Sequence, residues 1–301
     1  MVVLLVNFAC DRAKTISLLF LMIIYGSSQT TLGRMLVRFS HSTILVTGAL
    51  GGLGSAIAHA FADEGGQVII TDVNKTGEKQ VGARGLELAT HIGRGAEFMI
   101  LDVSNESSWQ RVLDSINVRF GGLDVLVNNA GFFQSDIPFE EMPLAVWKKH
   151  FAINSDGVFL GCKHGIRGMK QRGGAIVNIG SGLSIKAQAT SSAYCASKAA
   201  VLMTTRTAAS AGGRYNIRVN AVLPGPVNTE MLMRNRLSCE RQTESEFIEQ
   251  LAGHSPLGRL ATAKDVAHSV LFLADPDNSI ITGTYLPCLL YTSPSPRDKR
   301  Q

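Results

Sequence analysis

Six short β-branched runs recur along the chain: TILVT (43–47), QVIIT (67–71), EFMIL (97–101), DVLVN (124–128), AIVNIG (175–180) and IRVNAV (217–222), with helix-length segments between them. Such apolar runs read as strands covered on both faces of a sheet. Strand, helix, strand repeats imply βαβ units and a mainly parallel sheet in a three-layer, doubly wound α/β fold. No linker-like shift in composition interrupts residues 42–287, so one domain is expected there. In such sheets ligands sit beyond the carboxyl ends of the strands, which directs attention to the residues just after each run.

Directly after the first run comes TGALGGLGSAIAHAF, Thr47 to Phe61. Glycines at 48, 52 and 54 between a strand and an amphipathic helix allow a tight turn and close approach of backbone to a pyrophosphate. They also expose the helix's first N–H groups to its negative charge. The second run ends at Asp72, eighteen residues after Gly54, where a carboxylate can accept both hydroxyls of an adenosine ribose and repel a 2′-phosphate. Neither Ala49 nor Val73 supplies the cation that a 2′-phosphate wants, and Lys75 is a weak candidate, so NAD is expected ahead of NADP. Asp102, in LDVS after the third run, and Asn128 to Gly131, NNAG after the fourth, fall on the edge where adenine and its ribose would pass. The plainer reading of these residues is turn chemistry at strand ends.

The segment SAYCASKAAV, Ser192 to Val201, places Tyr194 and Lys198 four residues apart and hence on one helix face. A free phenol, with a pKa near ~10, exchanges protons poorly at neutral pH. A neighbouring ammonium stabilises the phenolate and lowers that value. The pair is also a common surface contact. Ser181, just past the fifth run in NIGSG, can hydrogen-bond a substrate oxygen. Asn154, polar within the apolar stretch FAINSDGVF, either bends or caps its helix or anchors a proton relay through a water beside Lys198.

At 301 residues and 45% apolar content the chain can bury a full core. The net charge of +5 points towards nucleic acid only until its distribution is read: residues 1–41 and 288–301 hold seven Lys or Arg and two acids, leaving 22 of each sign in the body. A neutral body removes the main support for a nucleic-acid partner. Cys10, Cys162, Cys195, Cys239 and Cys288 form no CxxC and no Cys/His cluster, so no metal is expected, and Cys195 reads as a packed thiol. The apolar run 16–25 is too short to span a bilayer. Residues 1–41 read as an extension, either a mitochondrial presequence or upstream sequence translated ahead of Met35, with a secretion signal behind both. The expected location is cytoplasmic or mitochondrial. CLLYTSPSPRDKRQ, 288–301, turns abruptly to Ser, Pro and basic residues and reads as a disordered, non-native tail that resembles translated sequencing-adaptor sequence.

Together these motifs resemble the short-chain dehydrogenase/reductase family over roughly residues 42–287. TGALGGLG is similar to the family's TGxxxGxG, NNAG to its fourth-strand signature and YCASK to its YxxxK; Ser181 stands thirteen residues before Tyr194, and LPGPVNT, 223–229, resembles its PG motif. The resemblance implies a single Rossmann-like domain with six to seven strands, usually assembled as a homodimer or homotetramer. It implies a catalytic set of Asn154, Ser181, Tyr194 and Lys198. The dinucleotide would meet Thr47, Gly48, Gly52, Leu53 and Gly54 at the phosphates, and Asp72, Asp102 and Val103 at the adenosine. Asn129, Ala130 and Gly131 would also meet it. Tyr194, Lys198, Pro224, Gly225, Val227 and Thr229 would meet the nicotinamide end. The implied reaction is hydride transfer between NAD(H) and a secondary alcohol or ketone.

Two departures stand out: TYLPCLLYTSPSPRD follows ITG where the family's last strand commonly ends near VDGG, and Gly180 stands where many relatives carry Ser. Residues 230–256 would fold over the substrate, with Met231, Leu232 and Met233, joined by Phe132 and Phe133, forming an apolar wall or ordinary packing. A medium-sized, largely apolar alcohol or ketone is expected. An enzymatic rival, a 3-oxoacyl thioester reductase, would prefer NADPH and carry a basic patch for its carrier. A silent dinucleotide-binding protein would lack a catalytic residue.

Overall fold

The computed structural model describes residues 37–73, 79–236 and 243–288. The apolar run 16–25, Met35, Lys75, residues 237–242 of the segment over the substrate, and the tail from 289 lie outside them. Seven strands form one sheet in the order β3-β2-β1-β4-β5-β6-β7, every neighbouring pair parallel. They are β1 (Thr43–Thr47), β2 (Gln67–Asp72), β3 (Glu97–Ile100), β4 (Val125–Asn128), β5 (Gly174–Ile179), β6 (Ile217–Leu223) and β7 (Tyr285–Pro287). The order reverses between β1 and β4, which opens a crevice beyond their carboxyl ends.

Alternate residues of the strands feed two cores. Ile44 and Val46 of β1, with Val125, Val127 and Val177, pack against α1 (Gly52–Asp63) and α9 (Ala263–Ala274). Leu45, Ile69, Leu126 and Ile176 pack on the other face with Trp109 of α3 (Glu106–Phe120), Val158 of α5 (Gly157–Met169) and Val201 of α6 (Ser192–Gly212). Each such side chain taken fully from water contributes roughly 1.5–3 kcal/mol, so both helical layers are bound tightly to the strands that carry the site. The chain also forms α2 (Lys79–Ile92), α4 (Leu144–His150), α7 (Glu230–Arg236) and α8 (Glu244–Gly253). Phe151–Asp156 is a π-helical turn joining α4 to α5.

The expected boundaries shift at both ends. Phe39 is buried and meets Phe61 edge-on at 4.8 Å, while Arg38 pairs with Glu64 and Asp275. Arg38 and Phe39 therefore pack on the body rather than standing outside it. At the other end Cys288 N donates to Leu223 O at 3.0 Å, so Cys288 continues the fold instead of opening the tail. The unusual YLP sequence does form β7, pairing Tyr285, Leu286 and Pro287 with Ala221, Val222 and Leu223. At a sheet edge a proline costs no ladder bond on its solvent side. Buried side chains of β6 hold the approach: Asn220 bonds Ile281 O and Thr284 N, and Arg218 donates to the last carbonyls of α9 at Leu273, Ala274 and Asp275.

Candidate active site

The turn from β1 into α1 is built by close backbone approach. Gly48 takes φ of +63°, a left-handed conformation that favours glycine, and a Cβ there would lie 2.7 Å from Ala130 Cα. A Cβ on Gly54 would meet Gly48 O at 2.5 Å and Asn129 Nδ2 at 2.6 Å. Thr47 ties this turn to the end of β4: its Oγ1 accepts from Asn129 N and Ala130 N, both at 3.0 Å, and Asn129 Nδ2 donates to Thr47 O and Gly48 O. No side chain caps α1 and its first turn holds no acid, while Gly52 is exposed and Leu53 leans on the core. A helix start of this form leaves first-turn amides for an anion, and the cradle fits a dinucleotide's phosphates.

Asp72 reaches back to the same turn, accepting from Leu50 N at 3.0 Å through Oδ2 and from its own Val73 N through Oδ1. Each carboxylate oxygen has a second lone pair, so capacity for ribose hydroxyls remains. Asp102 accepts from Ser104 N and Oγ in the loop after β3. Val103 is buried, and its carbonyl accepts from Trp109 Nε1. From the other side of the crevice, Pro224 O accepts from Gly182 N, and the methyl of Thr229 lies 3.6 Å from where a Cβ on Gly52 would be. Val227 bridges to Ala261, which fixes the loop that starts at Pro224 and Gly225.

Ser181, Tyr194, Lys198 and Asn154 converge beyond β4 and β5. The Ser181 side chain accepts from Leu183 N at 3.1 Å, capping a short 3₁₀ turn in which Ser184 returns a bond to Ser181 N, and its hydroxyl acts on the Tyr194 phenol in the direction that favours phenolate. Lys198 is buried, and its Nζ donates to Ile179 O at 2.7 Å. A Cβ on Gly131 would lie 3.7 Å from that Nζ and 3.5 Å from Asn154 Oδ1. Asn154 sits in the π-helical turn, a local widening often found at functional sites. Its amide side chain binds Phe132 N, Phe132 O and Ser197 Oγ.

The expectation that Lys198 lowers the phenol's pKa is not met in the chain itself. Burial pushes Tyr194 up to about 12, only partly offset by the nearby Ser181 hydroxyl, and burial pushes Lys198 down to about 8. The ammonium lies 5.9 Å from the phenol ring's centre and spends a proton on a carbonyl rather than on the hydroxyl.

Two further residues point elsewhere than expected. Asn128 turns into the interior, donating to Asn178 Oδ1 at 2.8 Å, and Asn178 donates on to Thr205 Oγ1. That buried chain locks the ends of β4 and β5, which carry NNAG and Ser181. Of the two phenylalanines, Phe133 lies on the Tyr194 ring at 4.5 Å, whereas Phe132 packs on His150 at 4.7 Å beneath the Lys149 ammonium. Met231 is exposed, with Leu232 and Met233 half-buried. Ser184, Ser197 and His150 went unnoticed in the sequence. His150 had a signal, since it precedes Asn154 by one helical turn. Among the described residues no cluster of His, Cys, Asp or Glu side chains suits a metal, and no helix is long and apolar enough to cross a membrane.

A family model described as enoyl-(acyl carrier protein) reductase matches residues 48–288. The cis-4-hydroxycyclohexanecarboxylate dehydrogenase of Sinomonas cyclohexanicum is 38% identical over 249 residues, 82% of this chain and 95% of its own length. The 2,5-dichloro-2,5-cyclohexadiene-1,4-diol dehydrogenase of Sphingobium indicum is 34% identical over 83% of this chain and 95% of its own length. The 3-beta-hydroxysteroid dehydrogenase of Comamonas testosteroni is 34% identical over 83% and 94% respectively.

Proposed function

The chain belongs to the short-chain dehydrogenase/reductase family, and from that premise we propose that it transfers hydride between NAD(H) and a secondary alcohol or ketone borne on an apolar, alicyclic ring. It is an oxidoreductase of a family that works with NAD(P). The observation that carries the mechanism is the meeting of Tyr194 with a buried Lys198, 5.9 Å from its ring centre, beside Gly131 and Asn154. When bound, the dinucleotide supplies a nicotinamide that accepts or returns hydride. Ser181 Oγ orients the substrate oxygen, and Tyr194 Oη gives that oxygen a proton during reduction or takes it during oxidation. Lys198 would hold the nicotinamide ribose, and Asn154 would support the proton relay on its far side.

Preference for NAD over NADP is supported by Asp72, whose carboxylate is fixed at the phosphate turn where a 2′-phosphate would be repelled. The thioester-reductase alternative fits that carboxylate poorly. An alicyclic substrate is supported by the Phe133 ring lying on Tyr194 and by the ring-bearing alcohols named for three relatives. As a single chain of this family it is expected to assemble with its own copies.

The test is a panel of alicyclic alcohols and ketones run with both cofactors, followed by absorbance of the reduced nicotinamide. Tyr194→Phe should lower the rate at least about a hundredfold. An unchanged rate would remove Tyr194 from the chemistry.

A further inference from the structure

The helix ending at His150 and the π-helical turn after it carry two fully buried polar side chains one turn apart, His150 and Asn154. Both bind the backbone that follows NNAG. Asn154 Oδ1 accepts from Phe132 N at 2.7 Å, and its Nδ2 donates to Phe132 O at 2.9 Å. His150 Nδ1 meets Val146 O at 2.9 Å, which makes it the donor nitrogen and leaves Nε2 as an acceptor. Gln134 N donates to that Nε2 at 3.2 Å. Burial, opposed by the bond to Val146 O and aided by Lys149, holds the imidazole's pKa below the ordinary histidine value, in keeping with a neutral acceptor.

Phe132 to Gln134 is thus a strap gripped at both ends, and the residue between the grips is the one whose ring lies on Tyr194 at 4.5 Å. Phe132 faces the opposite way, onto His150. Packing alone does not ask for an imidazole at position 150. An apolar side chain of similar volume would fill the space but leave the far end of the strap untied. With one grip gone, Phe133 is free to leave the phenol, and the apolar wall over the reacting oxygen goes with it.

We propose that His150 is a positioning residue: by accepting the Gln134 amide it holds Phe133 against Tyr194 and so sets the wall that an alicyclic substrate's ring meets. The proposal rests on the hydride-transfer reading above, and its test separates the two. Wild-type protein and Tyr194→Phe are first assayed with cyclohexanone and NADH, which judges the reading. His150→Leu should then raise KM for cyclohexanone about tenfold, the scale of one lost hydrogen bond, with kcat falling less than about threefold. His150→Gln, which keeps an acceptor, should restore KM to within about threefold of wild type.

A second arm needs no turnover. Amide hydrogen exchange read by NMR should show Gln134 N exchanging about tenfold faster in His150→Leu, with Phe132 N still protected by Asn154. Should the leucine variant fail to fold, Gln134→Pro deletes the donor while leaving the imidazole in place and should raise the same KM. Unchanged KM in the folded variant, or Gln134 exchange as slow as in wild type, overturns the proposal. Wild-type protein inert towards alicyclic ketones overturns the functional reading, while the exchange arm still judges the grip.

Discussion

Replacing Lys198 with methionine should make the protein more stable at neutral pH while disabling it. Lys198 is 3% exposed, and its one ammonium hydrogen bond among the described residues is to Ile179 O. The fall of its pKa from 10.5 to about 8 is worth about 3 kcal/mol at about 1.4 kcal/mol per pH unit. Below pH 8 the group is charged in folded and unfolded chains alike, and the folded chain bears this whole cost. Between pH 8 and 10.5 the unfolded chain still binds a proton that the folded chain has released, so stability climbs with pH; above 10.5 the cost is gone. Methionine has similar length and no charge, but it loses the bond to Ile179 O, worth about 1 kcal/mol. The net gain at pH 7 is about 2 kcal/mol, or about 3 °C in Tm for a chain of this size. By pH 10.5 it should become a loss of about 1 kcal/mol. Urea unfolding of both proteins at the two pH values, followed by tryptophan fluorescence, measures the difference directly. Tyr194 is present in both chains, so its own trend cancels. A variant less stable than wild type at pH 7, or a gap that does not change between the two pH values, would refute the reasoning.

Asp72→Ala should lower selectivity for NAD over NADP about tenfold in kcat/KM, since it removes both the ribose acceptor and the partner of Leu50 N; unaltered selectivity in paired titrations would count against the ribose assignment. Gly54→Ala places a Cβ inside 3.0 Å of two backbone atoms, Gly48 O and Ala49 Cα, and should cost about 3 kcal/mol of stability together with most of the NADH affinity. Denaturation and fluorescence titration read both effects, and a stable variant with wild-type affinity would show that the turn is not as tight as drawn. Because Tyr194 is held up at about 12, ketone reduction should stay near its maximum through neutral pH while alcohol oxidation keeps rising with pH as phenolate forms. Oxidation that peaks at neutral pH and declines above it would contradict that sign.

Six of the seven strands were legible to within a residue or two because apolar β-branched runs leave few other folds open, whereas β7 is a three-residue YLP defined by its pairing with β6; the motif residues converge because they follow carboxyl ends of neighbouring strands. What escaped depends on facts that a linear string does not carry. Asn128 looked like a lining residue, yet its partner Asn178 is defined only by the β4 to β5 register. His150 was hidden by its neighbours, since WKKHF sets it beside two lysines and the string does not show that the helix buries the face it stands on. The sign of the phenol's shift was illegible for a different reason. YxxxK shows the partner, and the partner's effect competes with desolvation, whose size follows from a fold assembled by distant residues. Free in water the two groups would titrate almost together, at 10.0 and 10.5, whereas here they stand at about 12 and about 8. Over the interval between those values the chain alone holds a phenol beside a neutral amine rather than a phenolate beside an ammonium. The fold by itself therefore prepares Tyr194 to give a proton to a carbonyl oxygen. Taking one from an alcohol becomes easier as rising pH approaches the phenol's own value and phenolate forms.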